Sequence, residues 1–216
     1  MSANLDIIGI DTLDALGLDE ALRQIGARAE KNQIACVDWP DSYPYAPATT
    51  FSVAHTGENL YVLFEAEDEW LRAEVDKNLG PVASDSCVEF FVKLPDGKEY
   101  FNFEFNCIGR INASHRESRN NPTRLTAEQM SQIRTLPSCG REPFAEKHGK
   151  FKWSLLVSIP LWLIGAEELA DGGKLLGNFY KCAGKSHKPH YLSWAPIATE
   201  TPNFHVPEFF GELHML

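Results

Sequence analysis

The sequence predicts an all-β fold: an antiparallel, jelly-roll-like β-sandwich with a short N-terminal helix and a long polar insertion. Three observations predict it. From Thr49 onward apolar residues recur at every second position, as in Leu60, Val62, Phe64 and Ala66. Alternation of that kind marks a strand with one buried face. Such segments return many times between turn signals, while helical periodicity is rare. Many short strands with few helices make a sandwich.

Taken in order, Leu18, Leu22, Ile25 and Ala29 recur at helical spacing with charges between them, which predicts an amphipathic helix from Leu18 to Lys31. Three prolines in the nine residues Trp39 to Pro47 forbid a helix and predict an extended, aromatic-rich connector. Thr49 to His55 and Leu60 to Ala66 read as a hairpin around Thr56-Gly57-Glu58-Asn59. Ser86 to Leu94 and Glu99 to Cys107 read as a second hairpin around Pro95-Asp96-Gly97-Lys98. In its second strand Phe101, Phe103 and Phe105 share one face, and Tyr100, Asn102, Glu104 and Asn106 share the other. Residues 112–149 read as the polar, irregular insertion. Within it, Thr126 with Gln129 has the form of a capping box and predicts a short helix to Thr135. Phe151 to Ile159 is a strand with Phe151, Trp153, Leu155, Val157 and Ile159 inward, ended by Pro160. Leu175 to Ala183, His190 to Trp194 and Gly211 to Met215 complete the strands.

At 216 residues and 44% hydrophobic the chain is expected to form a single domain, 1–216, with residues 1–38 as a helical extension. A net charge of −10 without a Lys/Arg cluster excludes the phosphate neutralisation that drives nucleic-acid binding and fits an anionic membrane surface equally poorly. The beginning, Met1-Ser2-Ala3-Asn4-Leu5-Asp6, lacks a basic and an apolar signal region, and a cytoplasmic location is expected. Five cysteines, Cys36, Cys87, Cys107, Cys139 and Cys182, are scattered without C-x-x-C spacing and are expected as reduced, mostly buried thiols.

Certain runs carry a resemblance when taken together in order and spacing. They are Asp85 through Phe91, Tyr100 through Asn106 with Gly109, Ile159-Pro160, Asn178 through Cys182, Ser193-Trp194-Ala195-Pro196, and Phe204 through Gly211. From Trp39 to the C-terminus the chain resembles the family 9 carbohydrate-binding modules, and more closely the stand-alone bacterial proteins called family-9-like. The resemblance implies a sandwich fold and non-catalytic binding of a mono- or oligosaccharide, with two tryptophans clamping the sugar and structural calcium ions; no other cofactor is expected. The chain departs from the family at both clamp positions. Pro81-Val82-Ala83-Ser84 holds no aromatic where one tryptophan belongs, and Phe204 stands in place of the other.

Sugars call for planar amides and carboxylates beside an aromatic plane. The face Tyr100, Asn102, Glu104 and Asn106 supplies these groups, and Asn178, Tyr180 and Glu89 extend it. The alternative is a solvated outer sheet face. Asp85, four residues before Glu89, reads as a cap of its preceding loop. Phe204 and His205 sit in a loop stiffened by Pro202 and Pro207, where Phe204 either meets a ligand or closes the sandwich edge. Arg110, at a strand end, and Trp194, at core or rim, complete the candidate set. Trp70, after an acidic run, reads as an exposed loop residue and a substitute for the missing clamp. Trp39, Trp153 and Trp162 read as structural. His187-x-x-His190 is short of a metal ligand set. Two further readings stand beside binding: glycoside hydrolysis by a Glu89/Glu104 carboxylate pair, and a sandwich that has lost its sugar. No G-x-S-x-G or P-loop occurs.

Overall fold

The computed structural model describes residues 3–169 and 172–216. Its elements are β1 (Asn4–Gly9), α1 (Leu18–Arg28), β2 (Asn32–Gln33), β3 (Thr49–His55), β4 (Asn59–Ala73), β5 (Cys87–Lys93), β6 (Tyr100–Asn106), β7 (Ile111–Arg116), β8 (Thr123–Arg124), α2 (Ala127–Ser131), β9 (Arg134–Pro137), β10 (Phe144–Pro160), β11 (Lys174–Cys182), β12 (Tyr191–Ser193) and β13 (Gly211–Met215).

They form a β-sandwich. One layer runs β8-β7-β6-β5-β11-β13, with β12 on β11. The other runs β3-β4-β10-β9, with β2 on β3. β1 links the two. Its residues 4–7 pair parallel with β13, and Ile8 and Gly9 pair parallel with β3. The remaining pairings are antiparallel. The sequence reading placed no strand before the helix, so this linking strand is a correction. Residues 1 and 2 of the expected 1–38 extension lie outside the described residues.

The predicted inward rows meet between the layers. Leu60, Val62, Phe64 and Ala66 of β4 and Trp153, Leu155, Val157 and Ile159 of β10 share one buried cluster with Phe90, Phe103, Phe105 and Phe179. Phe179 stacks between Phe51, at 3.8 Å, and Phe90, at 4.7 Å. α1 lies on the outer face of the second layer, not at an edge. Its Ala21 and Ile25 pack with Ala54, Tyr61, Leu63 and Leu156.

The expected 112–149 insertion is more regular than read, because it contains β7, β8, α2, β9 and the start of β10. Its short helix has the predicted capping box: Thr126 and Gln129 each bond the other's backbone N–H. Trp162 departs from its structural reading and is 47% exposed. It sits on a short 3-10 turn, Leu161–Ile164, whose other three side chains are buried.

The layer that matters for the site is the first. Along β11, Phe179 points into the core while Asn178, Tyr180 and Cys182 point outward, as strand alternation requires. That outer face is not open to water. The segment between β12 and β13 folds across it and forms a second apolar cluster with Phe91, Tyr100 and Tyr180. Two adjacent residues tie the segment down. Asp38 accepts from the Ser193 hydroxyl (2.7 Å) and Ile197 N–H (2.9 Å), and the Trp39 indole donates to Thr199 O (2.8 Å).

Candidate functional site: a cleft over the outer sheet face

Strand register arranges the predicted polar residues in rows across β11, β5, β6 and β7. One row is Tyr180, Glu89, Glu104 and Asn112. The next is Asn178, Phe91, Asn102 and Ser114. On the other side of the first row lie Cys182, Cys87 and Asn106. Residues directly opposite one another have Cβ atoms about 4.5–5.5 Å apart, so Glu89 and Glu104 are immediate neighbours.

The rows are heavily hydrogen-bonded. Glu104 accepts from Asn102 Nδ2 and from Asn112 Nδ2, each at 2.9 Å. Asn102 Oδ1 accepts from the Ser114 hydroxyl at 2.6 Å, and Ser114 Oγ accepts from the Arg116 guanidinium at 2.5 Å. Glu89 accepts from the Cys182 thiol at 3.1 Å. Burial pushes the Glu89 carboxyl well above the usual carboxylate range, with Cys182 and Glu104 adding to it. Burial also raises Glu104, against the pull of Asn112, Arg116 and Asn102.

The covering segment contributes the aromatic side. Phe204 stacks on Tyr180 at 4.2 Å and 11°, and the Tyr180 hydroxyl donates to Phe204 O at 3.3 Å. His205 packs on Phe91 at 5.0 Å, and its Nδ1 shares a 3.0 Å hydrogen bond with the Tyr100 hydroxyl. Burial, then Arg116 and Arg119, depress the His205 pKa to about 3, and burial raises Tyr100 to about 12.

Between sheet and segment is a cleft of about 130 Å³, lined by Glu89, Glu104, Arg119, Tyr191, Asn203, Phe204 and His205 among others. This is below the roughly 300 Å³ at which drug-sized ligand sites begin, so the cleft matches one small polar ring or part of one. A groove of about 450 Å³ opens elsewhere, over β3, β4 and β10. Its charges are already paired across it, Lys31 with Glu65 and Lys152 with Glu67, each at 2.6 Å. No sequence-predicted site residue lines it.

Of the predicted residues, Glu89, Glu104, Phe204 and His205 reach the cleft. Tyr100, Asn102 and Tyr180 support those four from beneath. Asn106 and Asn178 are spent on structure. Asn106 donates to Val75 O and Asp85 and accepts from Arg110 N–H. Asn178 donates to Ala195 O and accepts from Phe179 and Ala195 N–H. Arg110 extends away to Arg141 O. Trp194 packs edge-on against Phe51 and Phe179. Asp85 orders the preceding loop as read, accepting from Glu74 and Val75 N–H.

Trp70 departs from its loop reading. It lies within β4, and imidazoles stack against it at 4.4 Å (His148) and 4.3 Å (His187). These two rings compete with a sugar for the indole surface. Arg119, Tyr191 and Asn203 were not among the predicted site residues. Arg119 lies in the polar loop from which Arg110 was preferred, Tyr191 lies in a predicted strand, and Asn203 lies in the loop of Phe204 and His205.

The model of carbohydrate-binding family 9 matches residues 17–215. A protein of Bacteroides uniformis assigned a carbohydrate-binding role is 32% identical over 99% of both chains, with a TM-score of 0.91. Two structures of a family 9 module from Caldicellulosiruptor kristjanssonii share the fold. The glucose complex is 15% identical over 98% of this chain and 94% of that one, TM-score 0.58. The cellotriose complex is 14% identical over 98% and 92%, with the same TM-score of 0.58. Among curated proteins, none matches the chain. A family model spanning nearly the whole chain, over a sandwich that carries the expected strand rows, places this protein in carbohydrate-binding family 9.

Proposed function

We propose that this protein binds a saccharide, without turnover, in the cleft between the outer sheet face and the segment bearing Phe204 and His205. The observation that carries the reading is the composition of that cleft. Carboxyl, guanidinium, amide and imidazole groups from Glu104, Arg119, Asn203 and His205 converge beside the rings of Tyr191 and Phe204. Such a set matches the alternating hydroxyl and C–H surfaces of a sugar ring. Family membership and the glucose- and cellotriose-bound modules support the ligand class. The cleft size supports a single ring or a chain end.

Hydrolysis by Glu89 and Glu104 fits less well. A glycosidase needs one carboxylate ionised as nucleophile or base while the other stays protonated. Here burial raises both members of the pair. The platform also differs from a tryptophan clamp. Phe204 is already stacked on Tyr180, so one face of its ring is spent holding the segment in place.

The test is a glycan-array screen of the purified chain, with and without calcium, followed by calorimetry on each hit. Calcium is included because the family resemblance implies it. Saturable binding is expected, and Arg119→Ala and Asn203→Ala should weaken it about tenfold, or about 1.4 kcal/mol. Those two residues are exposed and half-buried, so the fold should persist. A folded chain with no hit would overturn binding and favour a sandwich that has lost its ligand. Turnover abolished by Glu89→Gln and Glu104→Gln would overturn the non-catalytic part.

A further inference from the structure

We propose that Cys87, Glu89 and Cys182 form a site for a thiophilic divalent cation, zinc in the first instance, with one coordination position open to the cleft. Three features of the fold assemble it. Cys87 and Cys182 are directly opposite in the β5–β11 pairing. Glu89 is two residues along β5, which puts its carboxylate on the same outer face. All three residues are buried, and their ligand atoms lie within 4.8 Å of one another.

The distances suit a small ion. Tetrahedral zinc with bonds of about 2.3 Å to sulfur and 2.0–2.2 Å to oxygen sets its ligand atoms roughly 3.6–3.8 Å apart. Glu89 Oε1 is 3.1 Å from Cys182 Sγ and 3.8 Å from Cys87 Sγ. All three ligand atoms thus already lie within about an ångström of that spacing. On binding, each thiol and the Glu89 carboxyl release their protons to solvent, and each sulfur takes the ion in place of its hydrogen bond to Glu89.

Two sulfurs select zinc, or a softer ion, over calcium and magnesium, which take oxygen ligands. The site is thus chemically distinct from the calcium the family resemblance implies. Three protein ligands leave a fourth position, as in zinc sites that hold water or substrate. Glu89 and Cys182 both line the cleft, so that position faces Glu104 and His205. The proposal does not rest on sugar recognition, because metal binding is read without sugar.

The experiment titrates the reduced, metal-free full chain with cadmium and follows the ultraviolet thiolate-to-cadmium charge-transfer band. Elemental analysis after zinc competition gives the stoichiometry. One equivalent per chain is expected, displaced by zinc and indifferent to calcium. The band should vanish in Cys87→Ser/Cys182→Ser. It should persist in Cys107→Ser/Cys139→Ser, which removes a second neighbouring pair of thiols. Glu89→Gln keeps both sulfurs and should weaken cadmium at least about tenfold; it also covers the case in which the double serine variant fails to fold. No band at one equivalent, a band that survives Cys87→Ser/Cys182→Ser, or undiminished affinity in Glu89→Gln would overturn the site. So would a Cys87–Cys182 disulfide in the freshly purified chain.

Discussion

Replacing Lys181 by Met should unfold much of this protein's stability margin, and replacing Asp68 by Asn in the same chain should restore most of it. Both side chains are 0% exposed, and the Lys181 ammonium lies 3.3 Å from Asp68 Oδ1. The Trp153 indole donates to Asp68 Oδ2 at 2.7 Å, and Lys181 donates to His190 Nε2 at 2.8 Å. Removing only the lysine leaves the Asp68 charge buried beside one neutral donor. Breaking a buried pair from one side costs about 3–5 kcal/mol because it leaves an uncompensated buried charge, and neutralising the remaining partner removes that charge. Total stability is about 5–15 kcal/mol. At about 2–4 °C per kcal/mol for a chain of this size, the single variant should melt roughly 6–20 °C lower. Urea unfolding followed by circular dichroism, on the parent, both single variants and the double, closes the cycle. A Lys181→Met variant as stable as the parent, or a double variant no better than the worse single one, would refute the reasoning.

The remaining predictions concern pH, packing and capping. His190 and His205 are both held below the ordinary histidine value, His190 by burial and the Lys181 charge, His205 by burial and Arg116 and Arg119. The unfolded chain takes up these protons first, so their stabilisation is complete above about pH 6.5 and is lost as pH falls toward about 3, the His205 value. Between pH 7 and pH 5 the two histidines lower the melting temperature, while Glu89 and Glu104, whose carboxyls are raised in the folded chain, oppose them; relative to the parent, His190→Gln should therefore gain melting temperature as pH falls from 7 to 5 if it stays folded. Gly177→Ala in β11 would place a Cβ 2.7 Å from Phe91 O and 2.9 Å from Leu213. It should cost about 1–3 kcal/mol, measured by urea denaturation. Thr126→Ala removes the cap on Gln129 N–H. It should raise amide exchange in α2 by the equivalent of about 1 kcal/mol while leaving the global melt nearly unchanged.

The strands were legible wherever one face was apolar and the other polar. β13 matches its predicted bounds, and β3 to β6 lie within a residue or two except at the long end of β4. β7 was not legible. Its inward Ile111 and Ala113 are only two apolar signals, and its other face carries Asn112, Ser114 and Arg116. Those side chains are drawn into a buried polar network that composition alone reads as a solvated loop. The polar row of the site was legible from alternation, because register is what brings Glu89 beside Glu104. The covering segment was not. Its path depends on Asp38 and Trp39, more than 150 residues earlier than the backbone groups they hold. Only that path turns Phe204 onto Tyr180 and brings Asn203 and His205 over the carboxyls.

One signal in the sequence went unread, and it bears on how the site is held. The inward row of β4, Leu60, Val62, Phe64 and Ala66, continues at the same spacing to Asp68. On β11 the inward position after Phe179 is Lys181. A charge on an inward position requires a partner, and here two such positions supply each other across the sandwich. The residues flanking Lys181 are Tyr180 and Cys182, both on the cleft side. β11 therefore carries core and site on alternate residues of one short strand. The ion pair on its inner face ties β11 to β4 across the core. The rows Tyr180–Glu89–Glu104 and Cys182–Cys87 on its outer face are joined to the same strand through the β5 register. A scaffold selected only for stability would do as well with two apolar side chains at positions 68 and 181. The Lys181→Met/Asp68→Asn chain, which lacks the pair, should recover most of the parent's stability yet bind cadmium at Cys87, Glu89 and Cys182 less tightly. An unchanged cadmium affinity would show that the two faces of β11 are independent.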